Sequence, residues 1–207
     1  MGAVLALVLS LGTGRAETPK VSVTAEPIEV VTLYQEAATE AGLEGTARLP
    51  ACRKWSAEFF MCFMVEESGH RRMVHLGDLA VWSMTIAELE ALARLNGRAV
   101  LEPDRARKVQ VEGLTGAYWV FDRGDGYDAS ILFYASELEA LLGGAPVLAV
   151  PQRGLVIAWV PGNLELDQVV GVGVKRIHEQ SEQPISPVIV HWNEERWVRW
   201  GEARAKP

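Results

Sequence analysis

The run EFFMCFMVEE, residues 58–67, is apolar on both of the faces that a strand would present. Successive side chains of a strand point to opposite sides, so a strand with one wet face alternates apolar with polar. A run without that alternation predicts a central strand covered on each side, and this demand limits the chain more than any other segment does. ESGH follows as a turn, and RRMVHL returns as a second strand.

The remaining segments supply the cover. PKVSVTAEP (19–27) reads as an extended lead-in, and Pro27 opens a helix, IEVVTLYQEAATEAG, with Gly42 as its stop. GDLAVWSMTIAELEALARLNG (77–97) has helical period, with Thr85 and Glu88 as a capping box and Ile86, Leu89, Leu92 and Ala93 as an apolar stripe. EPDRAR (102–107) is polar linker, the place where a subdivision of the chain would fall. KVQVEGL and AYWVF read as strands, and Ser136 with Glu139 forms another capping box. PVLAV and LVIAWVP make a hairpin through the turn PQRG. LELDQVVGVGVKRIHEQ places Leu166, Val169/Val170, Gly173/Val174 and Ile177 on one helical face, although its Val-Gly alternation also suits a strand. PVIVHW and WVRW close the chain as a hairpin across NEER. Hairpins separated by helices favour an α+β domain over residues 17–207, with antiparallel sheets built from hairpins and helices packed on a face.

Residues 1–16 stand apart. An apolar run at 3–11 is followed by the small-x-small ending Gly14-Arg15-Ala16, the pattern of a secretory signal cleaved before Glu17. No Lys or Arg follows Met1, and a buried strand or helix is the alternative. The run is shorter than the roughly 20 residues that span a bilayer, so no stable membrane span is expected. Cleavage would also remove Arg15, taking the formal charge from -7 to -8. Charge of that sign disfavours nucleic acid and suits a protein partner with a basic surface. Export to a periplasmic or secreted location would let Cys52 and Cys62 pair, closing a loop of about ten residues worth about 2–3 kcal/mol. Cys62 alternatively serves as a small hydrophobe in its apolar run.

The segments FMVEESGHRRMVHLGDLAVWSMTIAELEALA, GDGYDAS, PVLAVPQRGLVIAW and PISPVIVHW, in that order, resemble the YtpQ-type family of bacterial proteins of unknown function. The resemblance covers 59–200 and rests on three short blocks, 125–130, 149–153 with the strand after it, and 184–187. It implies an α+β fold and brings no reaction with it. Members of that family look mostly cytosolic, and the signal-like segment and the cysteine pair depart from that pattern.

The stretch FDRGDGYDAS (121–130) carries the densest chemistry. Its G-x-G-x-x-A spelling fails as a dinucleotide loop, because Asp125 and Asp128 would stand where a pyrophosphate needs N–H donors. No acid follows about 20 residues on, where a ribose ligand is expected. Arg123-Gly124-Asp125 is three common residues in a row. Asp122, Asp125 and Asp128 along a glycine loop could serve calcium, yet the twelfth position counted from Asp125 is Ser136 and supplies no carboxylate. The plainer reading is a glycine turn with Asp128 capping a helix that begins at Ala129. Asp122, Asp125, Tyr127, Asp128 and Arg153 are the candidate binding residues, with no catalytic or metal set and no cofactor assigned. His70, His75, His178 and His191 show no metal-ligand spacing; His70 and His178 read as solvated and His191 as pointing outward from its strand. Trp192, Trp197 and Trp200 share one hairpin and read as packing, with Trp192 and Trp197 as a cross-strand pair rather than a stacking surface. The function expected is a non-enzymatic binding or interaction module of the bacterial envelope, such as an inhibitor or immunity-type protein for a basic partner. The alternatives are a hydrolase using Asp125 and Asp128 with a histidine brought near, or a calcium-stabilised module.

Overall fold

The computed structural model describes residues 19–200, apart from Pro103, Glu195 and the side chains of 37–45. The signal-like segment and its cleavage point lie outside the described residues.

The doubly apolar run becomes β3 (Phe59–Glu67), the centre of a four-stranded antiparallel sheet. β1 (Lys20–Pro27) pairs with it from Lys20 opposite Glu66 to Pro27 opposite Phe59. β2 (Cys52–Lys54) and β4 (His70–Met73) pair with successive stretches of β3 on its other edge. The expected lead-in is therefore a full strand, whose partner is remote in sequence. Cys52 and Cys62 stand opposite each other in the β2–β3 register and form a disulfide.

α1 (Ile28–Ala47) starts after Pro27 and runs through Gly42, so that glycine is not its stop. A single glycine costs a helix only about 1 kcal/mol, which the turns on either side offset. The helical stretch from 77 is two helices, α2 (Leu76–Trp82) and α3 (Ile86–Gly97), parted at Ser83, whose φ is +51°. The capping box of α3 forms: Thr85 Oγ1 accepts from Glu88 N–H at 3.2 Å, and the Glu88 carboxylate accepts from Thr85 N–H at 2.8 Å. The second box does not. α4 (Ala135–Leu142) has Tyr134 at its N-cap, which places Ser136 and Glu139 inside the helix.

The second sheet has six antiparallel strands, β5 (Arg107–Val109), β6 (Tyr118–Phe121), β7 (Val147–Gln152), β8 (Leu155–Trp159), β9 (Ile189–Trp192) and β10 (Trp197–Arg199). Their order is β10-β9-β7-β8-β6-β5. The β7–β8 hairpin turns at Arg153 and Gly154, with Pro151 inside β7 rather than in the turn. The Val-Gly segment is helical: α5 (Leu164–Gln180) is capped by Asn163, whose Oδ1 accepts from Glu165 and Leu166 N–H at 3.1 Å each. The period-2 rule then sorts the middle strands by face. Val147, Ala149, Ile157 and Trp159 pack under Leu166, Val170 and Val174 of α5. Leu148, Val150, Val156 and Ala158 face a larger core shared with Val21, Phe63, Leu89 and Trp197. That core is continuous across the 102–107 linker, although every strand of the first sheet precedes the linker. Trp192 and Trp197 are a register pair with ring centroids 5.5 Å apart, and Trp200 packs against Trp159 at 6.4 Å. Among the described residues no helix is long and apolar enough to cross a membrane.

Candidate functional site: an arginine-lined cleft between the sheets

β6 ends at Phe121, and the chain must then double back into a short 3-10 segment, Asp128–Phe133. Gly124 and Gly126 make the reversal with φ of +70° and +75°, a region costly for residues with a Cβ. Asp128 is 1% exposed and does not cap the segment it begins. Its carboxylate reaches back instead, Oδ1 accepting from Arg123 N–H at 3.2 Å and Oδ2 from Gly124 N–H at 3.0 Å. Burial pushes its pKa above the usual carboxylate value, against the pull of those two N–H donors.

Asp125, three positions earlier, is set the other way. The Arg105 guanidinium donates to its Oδ2 at 2.5 Å, and Tyr127 N–H donates to its Oδ1 at 3.0 Å. The Arg105 contact holds Asp125 below the usual carboxylate range, while partial burial opposes it. Asp122 forms an exposed pair with Arg107 at 3.0 Å. The acidic ladder is thus divided among three sets of partners. Among the described residues no group of three His, Cys, Asp or Glu side chains is placed to hold a metal ion.

Beside this loop lies a cleft of about 300 Å³, lined by residues from both sheets. Val23, Met64 and Ala129 supply its apolar wall, and Thr24, Asp128, Arg71 and Arg153 its polar groups. Arg71, in β4, lies over the Tyr127 ring with its guanidinium carbon 5.0 Å from the centroid. A Cβ on Gly126 would come within 1.1 Å of Arg71 Nη1, so only glycine lets the guanidinium sit there. The Arg71 side chain forms no ion pair among the described residues, although its charge acts on Asp125 and helps to lower that carboxyl's pKa. Arg153 sits at the β7–β8 turn and donates through Nη2 to Glu26 Oε2 at 2.6 Å. Glu26, in β1, is 2% exposed.

Of the residues picked from sequence, Asp128 and Arg153 line the cleft. Tyr127 and Asp125 stand one step behind, supporting Arg71 and the loop, and Asp122 lies apart. Arg71, Thr24, Met64 and Glu26 escaped sequence reasoning, since strand pairing alone brings them in. The histidines do not line the cleft: His70 is exposed, and His75, His178 and His191 are half-buried at other positions. His191 therefore does not point fully outward. Segment 184–187 closes against β7, with Ile185 N–H donating to Pro151 O and Ser186 N–H to Val150 O, both at 3.1 Å. Arg153 N–H donates to Gln183 O at 3.0 Å, so 184–187 packs on 149–153, while 125–130 and 149–153 both contribute residues to the cleft. Comparison with protein-family models, curated proteins and solved structures returns no match.

Proposed function

We propose that the protein is an exported, non-enzymatic binding module of the bacterial envelope whose cleft receives a small organic anion. The observation that carries this reading is Arg71: a guanidinium that forms no ion pair among the described residues, oriented by Tyr127, above an apolar wall. Small-molecule sites are mostly apolar with a few placed polar groups, and a guanidinium is the side chain best shaped to grip a carboxylate. The disulfide supports export, because such bonds persist in oxidising compartments. Kinship with the YtpQ-type family belongs to the same proposal, supported by two of its three blocks lining the cleft and the third packing on 149–153. A basic protein partner for the acidic exterior rests on the formal charge of -7 alone. The hydrolase reading draws less support, since Asp125 is tied to Arg105, both Asp128 oxygens accept backbone N–H groups, and no histidine lines the cleft.

Thermal melts with benzoate, phenylacetate and hexanoate test the reading. At least one should raise the melting temperature of the wild type, and Arg71→Ala should lose about tenfold or more in affinity, as expected for a charge-assisted hydrogen bond. Equal stabilisation of wild type and Arg71→Ala, or none by any of the three, would overturn it.

A further inference from the structure

A second concavity, a groove of about 560 Å³, lies between the start of the first sheet and the closing hairpin. Four of its lining residues are cationic, Arg53, Lys54, Arg196 and Arg199, in a chain whose formal charge is -7. Two of them are anchored. Arg53 Nη1 meets Glu90 Oε2 at 2.5 Å and Arg199 Nη2 meets Glu58 Oε1 at 2.6 Å, and neither carboxylate lines the groove. Lys54 and Arg196 form no ion pair among the described residues, which leaves the groove a local excess of positive charge.

The strands on which these cations sit or border are both outer ones. Among the described residues β2 has only β3 as a strand neighbour and β10 only β9, so each keeps outward backbone N–H and C=O groups without a strand partner there. The wall on the β2 side is rigid. The Cys52–Cys62 disulfide fixes the strand one residue before Arg53. Trp55 is wedged edge-on against Phe133 at 5.1 Å, with the Arg53 guanidinium 5.5 Å from its ring centroid. Such preorganisation lowers the cost of ordering a bound chain.

We infer that this groove binds an extended acidic peptide segment. Its carboxylates pair with Lys54 and Arg196, and its backbone adds to an open strand edge. A peptide fits better than a compact anion because the cations come from two separate sheets and border open edges. Those edges offer both N–H and C=O groups, and a phosphate backbone, which has acceptors but no donors, can meet only the N–H half of them. The groove shares no residue with the cleft described above, so the two sites stand or fall separately.

Fluorescence anisotropy with a labelled oligoglutamate and the full oxidised chain tests the assignment. Overall attraction cannot explain binding here, since the chain and the peptide carry the same sign. Binding is expected at low salt and should weaken as salt rises. The Lys54→Glu/Arg196→Glu double variant should bind about tenfold or more weakly with an unchanged melting temperature, because neither side chain forms an ion pair among the described residues. Arg71→Ala should bind as the wild type does. A Glu-Pro alternating peptide of equal charge, which lacks half of the N–H donors, should bind more weakly than oligoglutamate. The inference is overturned if oligoglutamate fails to bind, if the double variant binds it equally, or if the Glu-Pro peptide or an oligo-dT of equal charge binds as tightly.

Discussion

Asp125 and Asp128 are three positions apart, and their surroundings push their proton affinities in opposite directions. Arg105 lowers the first, and burial raises the second. The consequences for stability differ in sign. Asp125 binds its proton less readily in the folded chain, so its contribution is present above the ordinary carboxylate pKa of about 4 and lost as pH falls through its folded value. Asp128 binds its proton more readily in the folded chain, so its contribution is full below about pH 4 and declines as pH rises through its folded value. Carboxyl-carbon NMR should show Asp125 titrating below and Asp128 above that ordinary value, with Asp125 moving up in Arg105→Ala. Both titrating on the same side would contradict the separate roles given to them. The residue types and the glycine turn were legible in FDRGDGYDAS. The direction of the Asp128 carboxylate was not, because a cap and a back-reaching loop brace use the same letters, and only the fold decides which N–H groups lie within reach.

At the scale of elements, periodicity was informative wherever one face of an element meets the core. The β7–β8 hairpin, α3 with its Thr85 box and the β9–β10 tryptophan pair follow directly from spacing. In α5 the 3.6-residue spacing of Leu166, Val170 and Val174 prevailed over the Val-Gly alternation, because that face covers the second sheet. Misreadings fall where the deciding contact is remote or the punctuation is unusual. β1 needs β3 to be recognised as a strand, and the break between α2 and α3 rests on Ser83, with neither glycine nor proline to mark it. Ser136 fitted a capping box by sequence, but the 3-10 segment before it runs through Phe133 and moves the cap to Tyr134. The cysteine pair was undecided until β2 and β3 were aligned, when both residues proved to occupy one cross-strand position. Cys52→Ser/Cys62→Ser should lower stability by about 2–3 kcal/mol in the chain-entropy account, read as a shift in urea midpoint. It should also weaken oligoglutamate binding by loosening the β2 wall of the groove.

For the molecule as a whole, the two sheets are joined by one core and, at the cleft, by the ion pair of Arg153 with Glu26. Removing the arginine leaves a carboxylate that is 2% exposed without its cation. Arg153→Ala is therefore expected to cost roughly 2–5 kcal/mol, the range for a buried charge that loses its partner. Much of that loss should return in Arg153→Ala/Glu26→Gln, measured by urea unfolding; an unrecovered loss would place the effect in packing instead. Charge is also unevenly spread at this scale: the chain is acidic overall, yet arginines line both the cleft and the groove. Net charge alone pointed toward a basic partner, whereas the concave surfaces point toward anions.

The most direct measurement of the central claim is an amide NMR titration of the wild-type chain with benzoate, phenylacetate and hexanoate. The account expects saturable shifts confined to 124–129, Thr24, Arg71 and the Arg153-Gly154 turn, and their loss in Arg71→Ala. Shifts scattered over the surface, or shifts at the cleft that persist unchanged in Arg71→Ala, would contradict it.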